Sequence, residues 1–167
     1  MGKITSFGAT NFTVGTGVVL AAFQTTAAGS AASNVKVKRL EISQNASTTL
    51  GMVYGEFATR DTAGTLTMTS TTPRVIRPLG AAASGLTGNT APAGAVGRSG
   101  TNSSADSGGT YTSTQIYFSF ANTAGYLWKP APDEEIWVPP STLFVVRLLA
   151  TPTGTTGWSV SLILEED

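Results

Sequence analysis

Apolar and polar residues alternate along much of this chain, and no long stretch carries the spacing of an amphipathic helix. The alternation is clearest over residues 114–120, where Ile116, Phe118 and Phe120 share one face and Gln115, Tyr117 and Ser119 the other. Successive side chains of a strand point to opposite sides, so this run predicts a half-buried strand. Residues 158–164 repeat the pattern, with Trp158, Val160, Leu162 and Leu164 inward. Residues 143–149 are apolar on both faces apart from Arg147. That predicts a central strand whose second face is also covered, by a neighbouring subunit in the simplest reading.

Shorter or less regular strands are predicted over 13–23, 35–42, 51–57, 65–69, 74–77 and 135–138. Within 35–42 the phase slips at Lys38-Arg39, and a β-bulge there lets Val35 and Val37 share a face with Leu40 and Ile42. Pro139-Pro140 stops the strand at 135–138, because proline donates no ladder hydrogen bond. The sum is an all-β, single-domain β-sandwich, a jelly roll of about eight strands with a long central loop. Residues 1–34 are expected to be an N-terminal arm and first strand, and 35–167 the sandwich.

The loop is residues 80–109, built almost wholly from Ala, Gly, Ser, Thr, Asn and Pro, with Leu86 and Val96 its larger apolar residues. A connection of that length inside a compact domain is usually functional or flexible. Small residues let a backbone run close to a partner, which predicts an arm laid across another surface.

Composition narrows the functional classes. Charged residues make up 12% of the 167, and formal net charge is zero. No global field then draws the chain to nucleic acid or anionic lipid, and neither partner is expected. The charges are uneven: Lys36, Lys38, Arg39, Arg60, Arg74, Arg77 and Arg98 crowd the first two-thirds, while Asp133, Glu134, Glu135, Glu165, Glu166 and Asp167 lie near the end. They are expected to be solvated, or to pair between subunits or with an underlying shell. The opening residues lack the apolar run of a secretion signal, so the sequons at Asn11, Asn45 and Asn102 read as chance.

Histidine and cysteine are both absent, which removes Ser-His-Asp and Cys-His nucleophiles and His/Cys zinc sites. Glu56 with Asp61, or Asp133, Glu134 and Glu135, remain as carboxylate pairs for glycoside chemistry or oxygen ligands for calcium, but acids beside Pro132 read first as a solvated turn. Gly15-Thr16-Gly17 lacks the Gly-Lys-Ser/Thr of a phosphate loop and reads as a turn. Tyr117, Tyr126, Trp128 and Trp137 are candidates for a sugar-stacking platform, or for anchors in a core or interface. No catalytic residue, metal or cofactor is expected.

Three stretches carry a resemblance: Lys38 to Gln44, Gln115 to Phe120, and Gly125 to Pro139 with its aromatic, its Trp, its Pro-containing acidic turn and its Val-Pro strand end. Together they resemble small jelly-roll head-decoration (cement) proteins of tailed bacteriophages. The resemblance covers about residues 35–166. It implies a non-catalytic virion protein on the outer surface of the capsid, bound to the major capsid protein and commonly a homotrimer. The residues expected to touch the capsid are Lys3, Ile4, Phe7 and Phe12 of the arm, and Leu86, Val96 and Arg98 of the central segment. Those expected at the subunit interface are Trp137, Leu143, Val145 and Arg147. The competing readings are a carbohydrate-binding fibre or tail appendage and a major jelly-roll coat protein.

Overall fold

The computed structural model describes residues 2–14, 19–45, 49–61, 63, 65–78, 80–88 and 98–167. In chain order the strands are β1 (Lys3–Phe12), β2 (Val19–Gln24), β3 (Val35–Gln44), β4 (Met52–Arg60), β5 (Thr65–Ser70), β6 (Arg74–Arg77) and β7 (Thr87–Gly88). They continue with β8 (Arg98–Ser107), β9 (Tyr111–Ala121), β10 (Tyr126–Trp128), β11 (Ile136–Val138), β12 (Leu143–Leu148) and β13 (Trp158–Glu166). Sheet A has the order β10-β3-β13-β1-β6, with β11 also on β3; sheet B has the order β5-β8-β2-β12-β4-β9, with β7 on β8. All pairings are antiparallel except the short β7–β8 contact.

Setting aside β5–β8 and β11, the remaining strands interleave as β1-β13-β3-β10 in one sheet and β2-β12-β4-β9 in the other. That alternation of successive strands between facing sheets is a jelly roll. The extra strands come mainly from residues 61–110, an insertion between β4 and β9, which are neighbours in sheet B. Its β5 and β8 add to sheet B beyond β2, and its β6 adds to sheet A beyond β1. The insertion therefore wraps the β1/β2 side of the sandwich. The slip foreseen in β3 is present: Ile163 lies opposite Arg39 and Leu164 opposite Val37, so Lys38 is the extra residue.

The core between the sheets follows the alternation. Phe118 and Phe120 of β9, Phe144, Val146 and Leu148 of β12, and Trp158, Val160, Leu162 and Leu164 of β13 all face inward. Phe23 and Phe144 lie 5.3 Å apart between ring centres, and Phe57 and Trp128 lie 5.0 Å apart edge to face. Each such side chain removed from water contributes about 1.5–3 kcal/mol, and each well-set ring pair about 0.5–1.5 kcal/mol more. Gly55 of β4 is required here. A Cβ on it would collide with the Phe118 ring, so the glycine makes the space that ring fills.

Four expectations are corrected. The first 34 residues are not a separate arm: β1 is hydrogen-bonded between β13 and β6, and Phe7 is buried edge-on against Phe23. The strand expected over 13–23 begins at Val19, and residues 15–18 lie outside the described part.

Residues 80–109 are not one loop either, since 98–107 form β8 between β5 and β2. That strand buries hydroxyls in place of hydrocarbon. Ser99 Oγ donates to the Thr71 carbonyl at 2.6 Å, the Thr101 and Thr71 hydroxyls lie 3.2 Å apart, and Ser103 Oγ accepts from the Val19 amide at 3.1 Å. Hydrogen-bond partners offset the cost of taking these hydroxyls out of water, so a strand without large apolar residues is stable between β5 and β2.

The second face of β12 is covered by the chain itself. Leu143 and Val145 pack with Val19, Ala22, Ala58, Leu66 and Met68 in a second apolar cluster on the outer side of sheet B. Leu66 and Met68 come from β5, at the far edge of the same sheet. Sheet B is therefore strongly curled, and its inserted hairpin folds back over its own outer face.

Candidate interaction surfaces

At the mouth of that curl lies a buried ionic group. Arg60 on β4 reaches Asp106 on β8 at 3.0 Å, although β12 and β2 separate the two strands in the sheet. Its other guanidinium hydrogens go to the carbonyls of Asp61 at 3.0 Å, Ala63 at 3.1 Å and Thr65 at 3.3 Å. Gly109 leaves room for this guanidinium, because a Cβ there would overlap it. Asp106 also accepts the Tyr111 hydroxyl. Burial, then that hydrogen bond, hold the Tyr111 phenol well above its ordinary pKa. Arg147 lies against the Tyr111 ring and pairs with the buried Glu56, its Nε donating to Oε1 at 2.5 Å.

A second clamp ties the insertion to the chain ends. Glu166 is buried and accepts from Thr5 Oγ1 at 2.8 Å, Ser84 Oγ at 2.5 Å and the Gly85 amide at 2.9 Å. Lys3 stands 3.9 Å from the same carboxylate and donates to the Ala83 carbonyl at 2.6 Å. On the outer face of sheet A, Lys38 bridges Glu135 at 2.5 Å and Glu165 at 3.1 Å. The hydrogen bond to Glu135 is the largest influence and holds the Lys38 ammonium above its usual pKa. Several basic residues of the first two-thirds thus pair with acids within the same chain.

These contacts revise the expected sites. Lys3 is engaged in the Glu166 clamp, and Phe7 and Leu86 are core, so these three are withdrawn from the capsid-contact set. Ile4 and Phe12 are half-buried on β1, and Phe12 packs against the main core. Arg98 opens β8, and Val96 lies outside the described residues. Leu143 and Val145 are withdrawn from the subunit interface because β5 covers them, and Arg147 because Glu56 and Tyr111 occupy it. Trp137 is exposed.

The four aromatics do not form one platform. Tyr126 stacks 4.7 Å from Phe118 and Trp128 packs on Phe57, both at the core, whereas Tyr117 points out from sheet B and Trp137 out from sheet A. The carboxylate pairs are likewise dispersed. Glu56 serves Arg147, Asp61 Oδ1 accepts from the amides of Ala63 and Thr110, Glu135 serves Lys38, and Asp133 and Glu134 are exposed in a turn. Among the described residues no three acidic side chains gather in the manner of a metal site. Gly15-Thr16-Gly17 lies outside the described residues.

Apart from Ile76 on β6, the large apolar residues that stay exposed along the strands fall in two places. On sheet A, Leu127 of β10 and Trp137 of β11 stand outward along the β3 edge, opposite Glu41 and Lys36, and the Lys36 ammonium sits 4.5 Å from the Trp137 ring centre. Trp137 also lines a pocket of about 530 Å³ with Thr59, Asp61, Thr112, Ser141 and Thr142, at the open side between the sheets. On sheet B, Met52 and Tyr54 of β4 and Tyr117 of β9 face out beside Leu149. Sequence reading had singled out Tyr117 and Trp137 but not Met52, Tyr54, Leu127 or Leu149. Their signal was the outward phase of a strand that should have been polar. No protein-family model, curated protein or solved structure matches this chain.

Proposed function

We propose that this chain is a non-catalytic structural protein that binds the outer surface of a bacteriophage capsid and stabilises it. The observation that carries the reading is the sheet A face. Trp137 and Leu127 stand out of a rim of Lys36, Lys38, Glu41, Glu135 and Glu165, a large apolar anchor ringed by paired charges. Protein interfaces that form and release concentrate their energy in such aromatic anchors within a polar surround. The jelly roll, the low charge and the resemblance of residues 35–166 support the same reading. Contacts of modest strength, repeated by capsid symmetry, add up to tight attachment.

The test is cosedimentation with purified heads of the phage whose genome encodes the chain. The wild type is expected to saturate them at a fixed ratio to the major capsid protein. The Trp137→Ala, Leu127→Ala double variant is expected to need at least ten times the concentration while melting within about 0.5 kcal/mol of the wild type, as exposed substitutions do. Wild-type protein that leaves the heads bare ends the reading. Equal binding by the double variant removes this face from it.

A second reading has one specific support: Trp137 borders the 530 Å³ pocket together with the hydroxyls of Thr59, Thr112, Ser141 and Thr142. A concave site lined by a tryptophan and several hydroxyl-bearing residues suits a sugar, and a carbohydrate-binding appendage follows. Binding on a glycan array that Trp137→Ala abolishes favours it over capsid decoration.

A further inference from the structure

The outer face of sheet B is finished over only part of its area. Leu66 and Met68 of the inserted hairpin cover Val19, Ala22, Ala58, Leu143 and Val145. Beyond the Glu56–Arg147 pair the cover stops, and the face continues as Tyr117, Tyr54, Met52 and Leu149. These residues are between 48% and 69% exposed. Register places Tyr54 opposite Ser119 and Glu56 opposite Tyr117, so the two tyrosines are diagonal neighbours on one face. The Leu149 amide donates to the Tyr54 carbonyl at 2.9 Å, and Tyr54, Tyr117, Ser119 and Leu149 line one shallow hollow.

We propose that this patch and the adjoining edge of β9 form the interface between copies of this chain. It deepens the structural reading above by naming where the protein meets itself. Three observations select a second copy as the occupant. The first is charge. Glu56 and Arg147 at the border satisfy each other, so the patch offers no net charge for an oppositely charged partner to complement. Two such faces approach without repulsion, and the chain as a whole carries 10 basic and 10 acidic residues.

The second is the edge itself. β9 pairs only with β4 among the described strands, and its 11 residues from Tyr111 to Ala121 contain no charge and no proline. Natural edges are usually blunted by one or the other, because an unprotected edge accepts a further strand. An identical edge matches it in length and in hydrogen-bonding pattern. The third is continuity. The covered part of the face shows what it packs against, aliphatic side chains from a strand of this same sequence, and interfaces between copies are more apolar than transient ones.

The mass of the purified full chain in solution tests this, by light scattering across a concentration series up to 100 µM. The wild type is expected at a whole multiple of 17.1 kDa. The Tyr54→Lys, Tyr117→Lys double variant, and separately Met52→Glu, are expected to shift the mass to a single chain with the far-ultraviolet spectrum and melting cooperativity retained. Trp137→Ala is expected to leave the mass unchanged. Wild-type protein that stays at one chain throughout overturns the inference. So does a folded Lys or Glu variant that keeps the wild-type mass, or a Trp137→Ala protein that becomes monomeric. An oligomer that ignores phage heads sinks the capsid reading and leaves this interface standing; a monomer that coats them does the reverse.

Discussion

The outer faces of the two sheets start from the same alternation and end differently. On sheet A the outward positions of β3, β11 and β13 hold Lys36, Lys38, Glu41, Ser159, Ser161 and Glu165 beside Ile163, a mostly polar, half-exposed surface with Trp137 and Leu127 raised above it. On sheet B the outward positions of β12 and β4 hold Leu143, Val145, Ala58, Tyr54 and Met52, residues that belong in an interior, with the paired Arg147 and Glu56 as the charged exception among them. Part of that face is closed by the inserted hairpin and part is bare. Sheet A therefore resembles the surface of a protein that visits a partner, and sheet B a core cut open. Stability resides on the second side, and loss of contacts there should be felt by the fold itself.

Arg60→Ala should make that difference largest. The side chain is 1% exposed, and its removal leaves Asp106 without its counter-ion, its Oδ1 without the guanidinium donor, and three backbone carbonyls without that donor. Removing one member of a buried pair costs about 3–5 kcal/mol, which denaturant unfolding at pH 7 measures directly. A loss below about 1 kcal/mol would show that the curl of sheet B is held by Leu66 and Met68 alone.

Tyr111→Phe probes the same group more gently. The ring stays under Arg147, and only the hydroxyl bonded to Asp106 is lost. A hydrogen bond to a charged group is worth about 1.5–3 kcal/mol. The folded phenol holds its proton above the ordinary value of 10.0, so its contribution is complete below pH 10 and fades as pH rises through the higher folded value. The gap in stability between wild type and variant should therefore be constant from pH 6 to 9 and narrow above 10. A gap that widens in alkali contradicts the assignment.

How much of this was legible beforehand differs between the same two sides. β9, β12 and β13 show in the hydrophobic period, and so does the bulge at Lys38, because inward hydrocarbon is what that period detects. β8 does not, since Ser99, Thr101 and Ser103 are buried through hydroxyl partners, and Asn102 at a φ of 49° adds a bulge that breaks the phase. β1 hides for a related reason. Thr5 is buried because its hydroxyl meets Glu166, a residue 161 positions away. The doubly apolar β12 was read correctly as covered twice, but the identity of the cover is a long-range fact: nothing local says that β5 returns to it. Among the surfaces, Trp137 could be singled out by type. The sheet B patch needed the register that places Tyr54 beside Tyr117.

The smallest effect should come from the face built for solvent. Lys38→Met keeps the aliphatic stem and removes the ammonium that Glu135 and Glu165 share. Surface ion pairs contribute about 0–1 kcal/mol, and this partly covered group stands at the top of that range, so unfolding at pH 7 should lose about 1 kcal/mol, several times less than for Arg60→Ala. Glu135 first, and Glu165 after it, hold the Lys38 proton above the ordinary 10.5. A group whose folded pKa is raised stabilises below its unfolded value and ceases to do so as pH rises through the folded one, so the small deficit of the variant should persist to about pH 10.5 and fade as pH rises through the higher folded value. Salt adds a sharper contrast, because about 1 M salt shortens the screening length to about 3 Å and weakens exposed pairs far more than buried ones. The Lys38→Met deficit should therefore disappear in high salt while that of Arg60→Ala survives. If both deficits survive, the charges of sheet A are as structural as those of sheet B, and the distinction between a visiting face and an opened core fails.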